Sequence, residues 1–456
     1  MPMSIDRHHL SHLLEREREL FRAQHPRSYE LYLQAQKSLL GGVPMTWMMK
    51  WAGGFPVFMR EAKGARLVDV DDISYIDFCL GDTGAMAGHS PQATVDALAR
   101  QGASGITTML PTEDALWVGN ELTRRFGLDY WQFTLTATDA NRFVIRIARE
   151  ITQRPKILVM NYCYHGSVDE TLIALHDGVA GAREGNVGPP VDPNVTTKVI
   201  EFNDLDALER ALAPRDVACV LLEPAMTNIG IVLPDEGYHA ALRELTRQTE
   251  TLLVIDETHT FCAGEGGYTR AYGLQPDILT IGKAIAGGIP AGAFGVTKDV
   301  AGKMFARQDA DYVDVGGIGG TLAGNALSLA GMRATLENVL TADAFAQMIP
   351  LAEKWARGVA NVIEEFELPW HVTQLGARAE YRFMPNAPRN GGEAAAAHDE
   401  ALEQYMHLYA LNRGILMTPF HNMALMSPAT TPSDVNYHTL VFGESVAELF
   451  QLTNVA

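Results

Sequence analysis

Two short apolar runs end in charged groups, and they constrain the fold more than any other feature of the chain. Leu252-Leu253-Val254-Ile255 runs directly into Asp256-Glu257, and Ile278-Leu279-Thr280-Ile281 into Gly282-Lys283. Such β-rich runs read as buried parallel strands, which deliver polar groups to a site at their carboxyl ends. Most lysines at a strand end are solvated surface groups. Lys283 is followed by Ala284-Ile285-Ala286-Gly287-Gly288, whose glycines leave room for a ligand, so it is a candidate Schiff-base nucleophile. Once released, the same amine is a candidate base for moving a proton. Asp256, on a neighbouring strand, is a candidate to hold a ring nitrogen protonated, because a buried carboxylate opposite a cation stabilises both charges. An amine and a carboxylate so placed are what pyridoxal phosphate requires of a protein.

The rest of the chain supplies a frame for these strands. From about residue 91 to 325 helical patterns alternate with short apolar strands at 156–160, 217–222, 252–255 and 278–281, which predicts an α/β domain with a largely parallel sheet. Residues 4–40 read as helix from Leu10, Leu13, Leu14, Leu20 and Phe21. Segments 65–71 and 75–78 read as a hairpin. A long helix is expected after 326, then a mixed region with a strand at 379–383 and a loop at 390–392 entering a helix. The expected organisation is an N-terminal helical arm over 1–60, a large α/β domain over 61–325 and a small α+β domain over 326–456.

Composition excludes several function classes. A net charge of −19 argues against nucleic acid and anionic membrane surfaces as partners. No apolar run reaches the length of a membrane span, and the N-terminus has no signal-peptide core, so a cytoplasmic protein is expected. Cys79, Cys163, Cys219 and Cys262 are widely spaced and read as reduced, mostly buried thiols. His165, His259 and His421 fall in separate segments without ligand spacing, and no metal is expected.

Further motifs occur in order around the two strands. Thr134-Leu135-Thr136-Ala137-Thr138-Asp139-Ala140-Asn141 precedes a helix expected to begin near Arg142, Tyr164-His165-Gly166 follows the strand at 156–160, Glu223-Pro224 closes the strand at 217–222, and Gly319-Gly320-Thr321 lies before the last third. Together with Asp256-Glu257 and Lys283 they resemble, from about residue 35 to 430, the class III aminotransferases of the fold type I pyridoxal-phosphate enzymes, in the branch of glutamate-1-semialdehyde aminomutase and the β-amino-acid aminotransferases. The resemblance implies a mostly parallel, seven-stranded-type sheet in the large domain. It implies that Thr136, Ala137 and Thr138 form the phosphate cup, as Ser-Gly-Thr does in the family, and that Tyr164 of Tyr-His-Gly stacks on the pyridine with His165 beside it. Glu223 would organise groups near the cofactor. Thr258 stands where the family's Asp-Glu-Val places an apolar contact on the ring face. Thr321 would reach the phosphate of a neighbouring subunit, implying a homodimer with shared sites.

For the substrate, the resemblance leads one to expect an arginine after Gly41-Gly42 and another after a Ser-Pro pair in the small domain. The corresponding stretches, Pro44-Met45-Thr46-Trp47-Met48-Met49 and Met417-Thr418-Pro419-Phe420-His421, carry none. Trp47, Met48, Trp51 and Phe420 are therefore candidates for an apolar substrate wall, joined by Asp82, with Arg378 or Arg382 as an alternative carboxylate anchor. The expected activity is transfer of an amino group from a primary amine, or an ω- or β-amino acid, to a keto acid or aldehyde by a ping-pong mechanism. The alternative is an isomerase similar to glutamate-1-semialdehyde 2,1-aminomutase, against which the missing arginine counts.

Overall fold

The computed structural model describes residues 5–188, 191–310 and 316–451. By packing, the chain divides into two compact units. The larger comprises Gln92–Phe345 and Pro388–Ala396; the other comprises Met1–Pro91, Ala346–Ala387 and Ala397–Ala456.

The larger unit is built on a seven-stranded sheet: β1 (Tyr130–Thr134), β2 (Lys156–Met160), β3 (Thr197–Ile200), β4 (Val217–Leu222), β5 (Leu252–Asp256), β6 (Ile278–Ile281) and β7 (Gly292–Val296), in the order β1-β7-β6-β5-β4-β2-β3. All neighbours run parallel except β7, which is antiparallel to both β6 and β1. Every residue of β4, β5 and β6 is buried, as their unbroken apolar runs require in a sheet covered on both faces. Val144, Ile147 and Ala148 of helix α1 (Ala137–Thr152), with Leu208, Leu212 and Leu242 from two later helices, complete the core against these strands. The register sets Thr280 of β6 beside Asp256 of β5. The ends of β2, β4, β5 and β6 thus deliver Tyr164–Gly166, Glu223, Asp256 and Lys283 to one edge of the sheet.

The other unit carries a four-stranded sheet, in which Ile415–Leu416 pairs in parallel with Ser74–Asp77, and a three-stranded antiparallel sheet of His371–Leu375, Arg378–Arg382 and Met423–Leu425. The expected hairpin is present as Arg66–Asp69 against Ser74–Asp77.

Several boundaries lie elsewhere than the sequence pattern placed them. Pro26 splits the expected 4–40 helix into Arg7–Gln24 and Pro26–Ala35, with His25 between them in a non-helical conformation, because proline disfavours helix at the residue before it. The region after 326 is two helices, Ala326–Asn338 and Ala342–Glu365. Packing divides the chain near 91 and 345, not at the expected 60 and 325. Residues 61–91 are tied to the C-terminal part by the Ser74–Asp77 pairing. Residues 326–345 stay with the large sheet's unit, where Arg125 donates to the carbonyls of Leu336 and Leu340 at 2.7 and 2.8 Å.

Candidate active site

Asp256 is the best-held charged group at this edge. It is 3% exposed; its Oδ2 accepts from Asn141 Nδ2 at 2.9 Å and faces His165 Nδ1 at 3.0 Å, while Oδ1 accepts from the Thr258 amide at 3.0 Å. Burial alone would push its pKa up. The bonds from His165, Thr258 and Asn141 outweigh burial and bring it down to about 2, so the group is a fixed anion. Burial likewise works against a proton on His165, yet Cys163 and the Asp256 carboxylate raise its pKa.

Asn141 was not singled out in the sequence, and it is central. Its amide also donates to the His165 carbonyl at 3.0 Å, and its Oδ1 accepts from Thr280 Oγ1 at 2.7 Å. One buried side chain therefore joins α1, the Tyr-His-Gly turn, β5 and β6. The available signal was an asparagine in the apolar stripe of a helix that the cup precedes.

The helix begins earlier than expected, at Ala137 with Thr136 as N-cap, not near Arg142. Thr136 Oγ1 accepts from the Asp139 amide at 3.2 Å, and Asp139 lies in the first turn, where a carboxylate favours the helix dipole. Ala137 and Thr138 thus sit at the helix N-terminus, where free amides bind anions. Ala137 has no positive φ, so the change from the family's glycine costs no backbone strain there. Gly166 closes against this turn with φ +86, and a Cβ on it would lie 2.0 Å from Thr138 Oγ1.

Lys283 follows β6 with φ +51, a left-handed conformation that costs a side-chain-bearing residue about 1–2 kcal/mol. Strain of this kind is retained where the surroundings fix a functional side chain. Its Nζ lies 2.8 Å from His259 Nε2. A Cβ on the preceding Gly282 would come within 3.0 Å of Ala137, so the lysine strand and the start of α1 are in close contact.

The remaining expected residues fall as follows. Glu223, 4% exposed, accepts from Thr227 Oγ1 at 2.5 Å and the Thr227 amide at 3.2 Å; burial raises its pKa. Glu257 turns into the core and receives Thr260 Oγ1 and the amides of Tyr268 and Thr269, anchoring the following loop. Thr258 is buried, and its Oγ1 has no hydrogen-bond partner among the described residues. Tyr164 is half-buried, and Thr321 lies in an exposed turn.

Trp47, Met48, Trp51, Asp82, Arg378 and Phe420 all belong to the other unit. Trp47 stands edge-on to Phe420, with ring centroids 5.7 Å apart at 70°. Lys50, which the sequence reading passed over, sets its ammonium 5.1 Å from the Phe420 ring centre. Asp82 has φ +50 and Met48 is exposed. Arg378 is 1% exposed and donates to Thr83 Oγ1 at 2.5 Å.

The class III aminotransferase profile matches residues 47–441. The chain belongs to the class III aminotransferase family. It is 32% identical to a glutamate-1-semialdehyde 2,1-aminomutase of Methanosphaera stadtmanae over 86% of this chain and 91% of that one. A solved glutamate-1-semialdehyde aminomutase of Pseudomonas aeruginosa PAO1, a lysine-to-alanine variant in complex with PMP, is 50% identical with a TM-score of 0.95, covering 98% of this chain and all of that one. An omega-transaminase of Sphaerobacter thermophilus is 26% identical, with a TM-score of 0.84 over 93% and 98% of the two chains. As a member of the class III aminotransferases, this protein is a PLP-dependent enzyme of fold type I.

The residues present fit that cofactor. A helix N-terminus with two threonines offers donors to a phosphate, a buried anion of low pKa suits a protonated ring nitrogen, and an amine stands at the next strand end. The buried Thr258 hydroxyl is an orphaned polar atom beside them. No helix among the described residues is long and apolar enough to cross a membrane, and no group of three or more His, Cys, Asp or Glu side chains among them could hold a metal ion. The four cysteines are buried and none is in a disulfide.

Proposed function

We propose that this enzyme transfers an amino group from a primary amine, or an ω- or β-amino acid, to a keto acid or aldehyde in two half-reactions, with Lys283 as the cofactor lysine. Pyridoxal phosphate, when bound, supplies the carbonyl and the electron sink. The chain's own residues do the rest. Thr136, Ala137 and Thr138 bind the phosphate, and Tyr164 covers the ring. Asp256, fixed by Asn141, Thr258 and His165, holds the ring nitrogen protonated. Lys283 Nζ yields its place to the donor amine and then moves the proton from the donor's carbon. Glu223 and Thr258 position groups around the ring. Thr321 reaches the phosphate of a partner subunit, making the enzyme a homodimer, and sedimentation showing an active monomer would overturn that part.

The donor class rests on one observation: Trp47 and Phe420 stand ring against ring where arginines were expected. Apolar substrate surface gains roughly 25 cal/mol per Å² buried against such a wall. A carboxylate there would lose hydration without a bidentate partner, since Lys50 offers only a hydrated point charge. The names of the Methanosphaera and Pseudomonas relatives favour a second reading, an aminomutase returning the amino group to the same substrate.

One experiment separates the two. The holoenzyme is mixed with a phenylalkylamine and a keto acid, with its carboxylated analogue and a keto acid, and with glutamate-1-semialdehyde alone. Transfer from the amine at a kcat/KM above that of the analogue supports the amine reading. Migration of the amino group from carbon 2 to carbon 1 without a second carbonyl compound would establish the isomerase instead.

A further inference from the structure

His259 occupies a position that the reading of the Asp-Glu motif left without a role, and its ring is aimed at the amine on which the proposed chemistry turns. Nε2 lies 2.8 Å from Lys283 Nζ, within hydrogen-bond reach. The backbone that carries it is held on both sides. The Thr258 amide bonds Asp256 Oδ1 at 3.0 Å, the Phe261 amide bonds the Glu257 carbonyl at 2.8 Å, and Thr260 Oγ1 bonds Glu257 Oε2 at 2.5 Å. Phe261, fully buried, packs its ring 5.9 Å from Phe126 and 5.6 Å from Phe345. The lysine is held as well, through its left-handed backbone and the Gly282–Ala137 approach. The two nitrogens are thus brought together by two independently fixed strand ends.

We propose that His259 is a catalytic residue, the proton acceptor that turns Lys283 from an ammonium into the neutral amine that can act as nucleophile and base. This rests on the assignment of Lys283 as the cofactor lysine. A free lysine holds its proton about four units more tightly than an imidazole, about 10.4 against 6.5, so the transfer is uphill by itself and is completed only as the nitrogen lone pair is drawn into the new bond, with the neutral imidazole placed to receive the proton. The step balances. One proton passes from Nζ to Nε2, and the freed lone pair forms a bond to an aldehyde carbon. The aldehyde oxygen leaves as water with the two protons remaining on Nζ. His259 ends one proton richer and returns that proton to solvent. An asparagine, glutamine or methionine at 259 could hold the lysine in place but could not take the proton.

The test uses the full chain stripped of cofactor, with pyridoxal 5′-phosphate as the probe, and follows formation of the coloured lysine linkage at neutral pH. His259→Gln keeps an acceptor for the lysine N–H but cannot take up a proton. It is expected to slow the linkage about a hundredfold, the low side of what a positioned acid–base group contributes; a change smaller than about tenfold overturns the proposal. His259→Ala is expected to be equally slow and to recover when imidazole is added. Absence of recovery in folded protein would make the role structural and also overturn it. Should the alanine variant fail to fold, the glutamine variant decides alone. Borohydride reduction of the wild type, followed by peptide mapping, checks the underlying assignment separately: a pyridoxyl group on another lysine would sink the role of Lys283, not the rate comparison.

Discussion

Two buried carboxylates, one in each unit, are held in opposite ways. Asp256 receives directed bonds on both oxygens, from Asn141, the Thr258 amide and His165. Glu380, 1% exposed on the strand Arg378–Arg382, has no hydrogen bond to either oxygen among the described residues. It faces His421 Nδ1 at 3.4 Å and the Arg382 guanidinium, whose Nη1 lies at 3.9 Å. Burial pushes both pKa values up, and in both the partners win and lower them. What differs is the kind of restraint. Short bonds fix where the Asp256 oxygens point, as the proposed contact with a ring nitrogen would require. Longer ion pairs fix only that Glu380 is charged. The first arrangement orients a carboxylate, as the proposed chemistry would need, and the second only holds a buried charge.

The strongest attack on this contrast is at the amine beside Asp256. Lys283→Ala should lower turnover by several orders of magnitude, because it removes both nucleophile and base, with little change in the unfolding midpoint. Steady-state rates and a denaturant titration on one preparation check both halves. Next, Asp256→Asn should cost about a hundredfold in kcat, roughly 2.7 kcal/mol, while the cofactor still binds. An amide cannot hold the ring nitrogen's proton, and retention of a tenth of the activity would show that another group does so.

The stability arm runs the other way. Glu380→Gln should destabilise the fold by about 3 kcal/mol by removing the buried anion that faces Arg382, seen as a lower denaturant midpoint. Asp256→Asn should cost less, because His165 can shed its proton and an arginine cannot. Equal losses would erase the distinction drawn here. The smallest effect concerns acid. Because the folded Asp256 pKa lies near 2, below its unfolded value, its contribution of roughly 2 kcal/mol is fully present above about pH 4 and lost as pH falls toward 2. Asp256→Asn should flatten that part of the stability curve.

The candidate strand-end residues could be picked out from the sequence because strand-end chemistry is local. An apolar run stopping at Asp256 or Lys283 announces itself, and the order of the motifs identified the family. The family-level fold and cofactor agree with the class III match. What stayed hidden depends on convergence. Asn141 looks like any polar residue in a helix until α1, β5 and β6 close around it, and His259 looks like a turn residue until β6 brings Lys283 alongside. Lys50 gives no local signal, because its ammonium meets the Phe420 ring only after the chain has folded. The helix start at Ala137 was missed because its cap, Thr136, was read as ligand-binding loop. The unit boundaries were missed because the two-residue strand Ile415–Leu416, too short to show periodicity, ties residues near 75 to the far end of the chain.

The contact of Gly166 with Thr138 limits how this enzyme can be re-engineered. With φ +86 and no space for a Cβ, Gly166 is shaped by a residue of a different motif. The helix-start turn at Thr136–Thr138 and the Tyr-His-Gly turn are therefore one part in two pieces. A graft or combinatorial library that exchanges one must exchange the other, and chimaeras with a crossover between residues 138 and 166 should be recovered only when both parents share the pair.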